Sequence, residues 1–240
     1  MANAAIITAR GGSKSISDKN VFPVAGEPMV SYPIKAANEA KLVEKVYIST
    51  DCPKIKEVGQ ILGCEIIERP EDMRGDHVNH GVVIKHAVEY VDKIMPELGN
   101  IVLLLGNTVM IDSELIDQSL QILQDNPDLD SVMSVWEAAD DHPLRAMRIE
   151  DDVLVPYEER GSNVSTERQS YPKAYYYDQG VWTFRKECVQ RKDGPSPWWW
   201  MGKKSRPIVR NWVTGRDVHT HLDVGVAEWW LKNYPKVKTL

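Results

Sequence analysis

Apolar residues fall along this chain in short runs separated by polar turns rich in glycine and proline, and the runs are of two kinds. Ala4-Ala5-Ile6-Ile7-Thr8-Ala9 is nearly uninterrupted and ends on Arg10-Gly11-Gly12-Ser13, which predicts a strand covered on both faces that feeds a turn. Lys45 to Thr50, Glu65 to Glu68, Asn100 to Leu105 and Ser131 to Trp136 read the same way, the fourth of these five strands being the most apolar. The intervening stretches carry helical spacing: about Met29 to Leu42 with Pro33 in its first turn, Pro53 to Leu62, Val78 to Lys93, and Asp112 to Gln124, with Asp112 as N-cap and Glu114 in the first turn. Strands this apolar, alternating with helices, predict an α/β fold: a mostly parallel, Rossmann-like sheet with helices on both faces.

After about residue 140 the texture changes to short strand-like pieces, Ala146 to Ile149, Val153 to Val155 and Tyr175 to Thr183, which predict a β-rich arm at about residues 140–185. Glu158 to Ser170 is polar and reads as a loop. Val218 to Leu222 is expected to form the last strand, followed by a helix from about Val224 to Tyr234. The 240 residues contain no internal repeat and fit a single domain with that arm inserted.

Composition narrows the function classes. A chain 42% hydrophobic and 27% charged lies in the globular range. Its longest apolar runs are far short of the roughly 18 residues that span a bilayer, so no membrane association is expected. With 29 basic against 35 acidic residues the net charge is -6, which repels nucleic acid, so any anion must be bound by a local cluster. Three cysteines without C-x-x-C spacing give no basis for a zinc site or a disulfide framework. The first residues lack the basic and apolar regions of a signal peptide, and a cytoplasmic protein is expected.

One such local cluster follows the first strand. Arg10, Lys14 and Lys19 bring three cations within ten residues, and Gly11-Gly12 lets backbone N–H groups approach phosphate oxygens. In an open α/β sheet this turn lies at the carboxyl end of a strand, where ligands bind. The same residues also suit a solvated basic turn. Neither G-x-x-x-x-G-K-[ST] nor G-x-G-x-x-G is present. Pro197-Trp198-Trp199-Trp200-Met201 is a second unusual feature, because three adjacent aromatics cannot all enter one core from one strand face. It reads as a buried corner with an exposed ring, or as an apolar wall or dimer contact. His77 and His80 read as polar surface or nucleotide-edge residues, not as metal ligands.

Ile7 to Asn20, containing Arg10-Gly11-Gly12-Ser13-Lys14 and Lys19-Asn20 and continuing to Pro23-Val24-Ala25-Gly26-Glu27-Pro28, resembles the signature of the acylneuraminate cytidylyltransferase family, R-G-G-S-K-G-I-x-x-K-N followed by P-x-x-G-x-P. Ser49-Thr50-Asp51, Arg69-Pro70-Glu71, His142-Pro143-Leu144-Arg145 and Arg168-Gln169 with Pro172 resemble later elements of that family in order. His221-Leu222-Asp223 resembles its terminal D-I-D. The resemblance implies a nucleotidyltransferase fold, a homodimer made through the arm, and transfer of CMP from CTP to a 2-keto-3-deoxy sugar acid (sialic, legionaminic, pseudaminic or a related acid) with release of pyrophosphate. It implies Arg10 and Lys19 as catalytic cations. Gly11, Gly12, Ser13, Lys14, Asn20 and Arg69 would join them in holding the nucleotide, and Arg145, Arg168, Gln169 and Tyr175 would hold the acidic acceptor. Tyr176 and Tyr177 suit a core or arm interface as well as that pocket.

For the metal, the resemblance implies Mg²⁺, or Mn²⁺, at Asp223 with His221 in place of a first aspartate, both on one face of the expected strand. The chain departs from the family pattern at Ser15 and Ser17-Asp18. It departs again after Leu104, where Leu105-Gly106-Asn107-Thr108 stands in place of Q-P-T-S. That second departure keeps open a nucleotidyltransferase with a phosphonate or sugar phosphate acceptor. A non-catalytic nucleotide sensor is the alternative from another class.

Overall fold

The apolar runs become the strands of one central sheet. The computed structural model describes residues 1–75, 77–157, 167 and 170–234. Its elements run β1 (Ala2–Thr8), β2 (Pro23–Val24), β3 (Glu27–Pro28), α1 (Ser31–Glu39), β4 (Lys45–Thr50), α2 (Pro53–Ile61), β5 (Glu65–Glu68), α3 (His80–Ile94), β6 (Leu98–Leu105), α4 (Ser113–Asp125) and β7 (Ser131–Glu137). They continue through β8 (Met147–Glu150), β9 (Val153–Pro156), β10 (Tyr175–Arg185), α5 (Cys188–Arg191), β11 (Ser205–Arg210) and α6 (His221–Asn233). Pro33 sits in the first turn of α1. The Asp112 side chain caps α4 by accepting from the Leu115 N–H at 2.8 Å.

Among the described residues the main sheet has seven strands in the order β11-β7-β10-β6-β1-β4-β5. Only β10 runs antiparallel to its neighbours, β6 and β7. The period of two along parallel strands divides the core. Ala5, Ile7, Ile48, Val102 and Leu104 cluster with Ile34 of α1, Ile55 of α2 and Ile116 and Leu120 of α4. Ala4, Ile6, Tyr47, Ile101 and Leu103 cluster with Ile84 and Val88 of α3, with Cys188 and with Trp200. Both faces are therefore covered, as the uninterrupted apolar runs require.

The second half of the chain departs from expectation in three places. The strand expected at Tyr175 to Thr183 is not part of the arm: β10 lies inside the main sheet, with Val181 to Phe184 buried, so the arm is the β8–β9 hairpin with its flanking chain. A register shift between Tyr177 and Trp182 lets Asp178 turn inward. There it accepts from Ser134 and from the Gly180 N–H (2.7 Å) and pairs with buried Arg210 at 3.4 Å. β11 occupies the sheet edge, the position in which Pro207 removes no needed ladder bond.

The third departure concerns the expected strand from Val218 to Leu222, which does not form. Thr220 and Asp223 make a capping box, and the chain enters α6 at His221. The tryptophan run forms a tight 3-10 turn with Trp200 and Met201 buried, Trp199 partly buried and Trp198 ring to ring with Tyr177 at 4.1 Å, a buried corner without the expected exposed ring. The loop expected over residues 158–170 lies almost wholly outside the described residues. Among the described residues no helix is long and apolar enough to cross a membrane.

Candidate active site

Parallel strands end side by side, so the turns that follow them converge. β1 and β6 are adjacent, and residues at and just past their carboxyl ends, together with the chain after β5, surround a cleft of about 250 Å³. Arg10, Ser13, Lys19 and Asn20 line it from the turn after β1. Arg69, Met73, Gly75 and Val78 line it from the chain after β5, His80 and Val83 from the first turn of α3, and Leu105 and Asn107 from the end of β6.

The turn after β1 is fastened at several points. The Gly11 N–H donates to Asp51 Oδ1 (2.9 Å), so this N–H is engaged within the protein instead of facing a ligand. Gly12 takes a φ of 67°, a left-handed conformation suited to glycine. The buried Asn20 side chain donates to the Arg10 carbonyl at 2.8 Å, and Lys54 pairs with Asp18 at 2.6 Å. Gly106 is required beside it, since a Cβ there would stand 2.6 Å from Ala9 Cβ and 3.0 Å from Asn20 Oδ1. Asn20 therefore both lines the cleft and holds the turn. Ile16 anchors the turn's far side in a small core with Val24, Met29, Val218 and Val224.

Cations concentrate here although the chain is acidic overall. Arg69 is buried, donating from Nε to Ser49 Oγ (3.1 Å) and from an Nη to the Ser49 carbonyl (2.9 Å). Burial lowers its pKa to about 10, with Asp51 opposing the shift and Arg10 adding to it. Burial also pushes the Lys19 ammonium below the usual lysine range, against the pull of Asp217, with the help of Arg10 and against Asp223. A half-buried lysine between an arginine and two carboxylates is placed to meet a further anion. His80 hydrogen-bonds Thr8 Oγ1 through Nε2 at 2.9 Å, and burial, with the Arg69 charge second, drops its pKa to about 4.

The expected pairing of His221 with Asp223 does not arise. In a strand the two would share a face, whereas in the first turn of α6, residues two apart point to different sides. His221 is exposed, with its ring against Phe22 at 5.5 Å. Asp223 is fully engaged: Oδ1 accepts from Arg216 (3.0 Å), and Oδ2 accepts from the His219 N–H (3.1 Å), the Thr220 N–H (2.8 Å) and Thr220 Oγ1 (2.9 Å). Burial alone would raise its pKa, but these bonds outweigh it and hold the carboxyl at about 2.

The acidic group that sequence reasoning missed is Asp217. It accepts from Asn107 Nδ2 at 2.7 Å, lies 2.9 Å from His219 Nε2, and acts on the charge of Lys19. Among the described residues no three His, Cys, Asp or Glu side chains are grouped so as to hold a metal ion by themselves.

Two of the residues expected at the acceptor, Arg145 and Tyr175, are elsewhere. Arg145 lies in the short turn before β8, exposed and 3.4 Å from Asp140, and Tyr175 opens β10 with its hydroxyl 3.5 Å from Glu137. Neither lines the cleft. They flank a second hollow of about 530 Å³ bounded by Glu137, His142, Tyr171 and Lys173. Lys14 is exposed on the turn beside the main cleft. Arg168 and Gln169 lie outside the described residues.

Comparison with known proteins gives this arrangement relatives. The family model described as cytidylyltransferase matches residues 4–192. An N-acylneuraminate cytidylyltransferase of Escherichia coli O18:K1:H7 is 29% identical over 148 residues, covering 62% of this chain and 34% of that one. A Helicobacter pylori protein combining pseudaminic acid cytidylyltransferase with a UDP-sugar hydrolase is 27% identical over 180 residues, 74% of this chain and 33% of that one. The chain thus spans about a third of the length of these two relatives. A CMP-N,N'-diacetyllegionaminic acid synthase of Campylobacter jejuni is 25% identical over 224 residues, 93% of this chain and 92% of that one. Among solved structures, a CMP:2-keto-3-deoxy-manno-octonic acid synthetase complexed with CTP superposes with a TM-score of 0.70 at 17% identity, covering 97% of this chain and 99% of that chain; at that identity the likeness shows the shared fold.

Proposed function

Because the chain belongs to the cytidylyltransferase family, we propose that it transfers CMP from CTP to a 2-keto-3-deoxy sugar acid and releases pyrophosphate. The observation that carries the reading is the meeting of Arg10, Lys19, Asn20 and Arg69 in one cleft beyond β1, in a chain whose net charge is -6. The relatives named for acylneuraminate, pseudaminic and legionaminic acids supply the acceptor class.

In this reading Arg10, Ser13 and Lys19 receive the triphosphate and Lys14 guards the mouth of the turn. Arg69 and Asn20 fix the nucleoside end, and Met73, Val78 and Val83 provide apolar surface for the base. The oxygen of the acceptor's anomeric hydroxyl attacks the α-phosphorus as its proton passes to water, and the bond from the α-phosphorus to the oxygen shared with the β-phosphate breaks, so that pyrophosphate carries that oxygen away. Such a reaction needs alignment and charge neutralisation more than covalent catalysis, and fixed cations that need not reorganise supply both. Lys19 stays with the departing pyrophosphate.

A magnesium ion would add charge neutralisation at the phosphates. The residues present suit it in one respect: Mg²⁺ keeps several waters and takes only one or two carboxylates, and Asp217, which acts on the charge of Lys19, meets two side-chain nitrogens, of Asn107 and His219, whereas the two oxygens of Asp223 hold four donors between the helix cap and Arg216. We assign the ion to Asp217.

The arm is assigned to dimer formation. Ile149, Val153, Leu154 and Tyr157 are exposed on and beside the β8–β9 hairpin, an apolar surface suited to a second copy of the chain. Arg145 and Tyr175, at the root of the arm, would then act on the acceptor across that interface. The working compartment in this proposal is the cytoplasm, which fits three free cysteines. The test is pyrophosphate release with each of the four nucleoside triphosphates against sialic, legionaminic, pseudaminic and eight-carbon keto acids, sugar phosphates and phosphonates. Release with CTP and a keto acid supports the reading. Release only with a phosphonate or sugar phosphate reassigns the acceptor, and no release alongside tight nucleotide binding makes the protein a sensor.

A further inference from the structure

Among the described residues His80 is the one imidazole that lines the main cleft, and its surroundings fix it. It is the first residue of α3, whose N-cap Asn79 accepts from the Gly81 N–H at 2.8 Å. Its ring lies edge to face with buried Trp200 at 6.2 Å. Trp199 fills the next space along the helix so closely that a Cβ on Gly81 would stand 2.6 Å from the indole nitrogen. The tryptophan run therefore acts as a buttress beneath the first turn of α3. Nε2 is engaged by Thr8 Oγ1, so Nδ1 is the ring nitrogen left to meet a ligand. Arg69, in the same cleft, repels a proton from the ring, which keeps it neutral with one donor and one acceptor.

The neighbours Met73, Val78 and Val83 form the apolar part of the cleft, apart from the cationic turn. Beside that apolar surface, a ring nitrogen whose imidazole is held by Thr8 and packed on Trp200 orients a flat ring by one edge. We propose that His80 reads the base: with its proton on Nε2 and donated to Thr8, its Nδ1 accepts from the exocyclic amino group of cytosine and gives CTP its preference over UTP. Uracil presents a carbonyl oxygen at that position, which would face the Nδ1 lone pair. This role rests on the reading of the cleft as a CTP site.

Two substitutions separate a base-reading His80 from one that only packs. In His80→Asn the side-chain oxygen takes the place of Nδ1 and the bond to Thr8 is lost. In His80→Gln the terminal amide takes the place of Nε2, keeps the bond to Thr8 and removes the acceptor. Calorimetry with CTP and with UTP, without acceptor, gives the preference for each protein. His80→Gln is expected to lower the CTP-over-UTP ratio by about tenfold or more, because an unmet polar group in a buried site is costly, while His80→Asn stays within a few-fold of the wild type. Nitrogen NMR of the wild type should show Nδ1 unprotonated, with a resonance that moves on adding CTP and not on adding UTP.

The reverse order, with Gln retaining the ratio and Asn losing it, makes His80 a partner of Thr8 only and overturns the proposal. Retention of the ratio by both variants overturns it as well. If the wild type itself binds CTP no better than UTP, the cytidylyl reading of the cleft fails before any variant is made.

Discussion

Replacing Asp223 by asparagine tests whether this carboxylate is a helix cap or a metal ligand. The ionised group accepts three hydrogen bonds at the start of α6 and one from Arg216, and is held at about 2 against an ordinary aspartate value of 3.8. That difference corresponds to stabilisation on the order of 2 kcal/mol by the charged form. Because the folded-state value is the lower one, the contribution is complete above about pH 4 and is lost as the pH falls toward 2. Asparagine resembles the protonated acid, so urea unfolding of wild type and Asp223→Asn should differ by about 2 kcal/mol at pH 7 and by roughly half that at pH 3. Pyrophosphate release assayed at a temperature where the variant is folded should retain its dependence on added Mg²⁺. Equal stability of the two proteins at pH 7, or a folded variant that no longer responds to Mg²⁺, would refute the cap assignment.

Four further outcomes follow from the same geometry. Lys19→Ala should lower turnover by about a hundredfold with little change in melting temperature, since a half-buried cation facing phosphates adds more to the transition state than to packing. Its lowered pKa predicts that kcat/KM for CTP falls on the alkaline side below the usual lysine range, and that Lys19→Arg moves this limb to higher pH. Gly106→Ala should push Asn20 off the Arg10 carbonyl and weaken CTP binding in calorimetry, at a folding cost of about 1 to 3 kcal/mol for the contact at 2.6 Å with Ala9. Ile149→Glu with Leu154→Glu should shift the protein to a monomer in analytical ultracentrifugation without changing its CTP affinity, whereas an unchanged sedimentation coefficient would remove the arm from dimer formation.

The parallel half of the fold is readable in the sequence because buried strands must be apolar throughout. β1, β4, β6 and β7 each fall on a run that allows little else, β5 at the sheet edge shows only as Ile66-Ile67 between two glutamates, and α2 and α4 begin where Pro53 and Asp112 signal a start. The later half mixes signals. β11 carries Pro207 and two arginines, which argue against a strand until its edge position is known. Val218 to Leu222 looks strand-like by alternation, yet Thr220-x-x-Asp223 is a capping signal, and satisfying the N–H groups of α6 decided the outcome.

The cationic side of the cleft was legible from the clustering of Arg10, Lys19 and Asn20 in one turn. Asp217 and Asn107 were not, because their link spans 110 residues and leaves no local pattern. His80 carries no sequence signal that separates a cleft residue from a surface one; only the packing of Trp199 and Trp200 beneath α3 places it.

The central claim is that this cleft moves a cytidylyl group, and the fate of the α-phosphorus tests it most directly. The protein is incubated with Mg²⁺, a nine-carbon or eight-carbon 2-keto-3-deoxy acid and CTP labelled at the α-phosphate or, in parallel, at the γ-phosphate. The account predicts that α-label enters a new species with the mass of the acid joined to CMP, while γ-label leaves in equal amount as pyrophosphate. Release of γ-label as inorganic phosphate, or α-label remaining in CTP and CMP alone with every acid supplied, would contradict it.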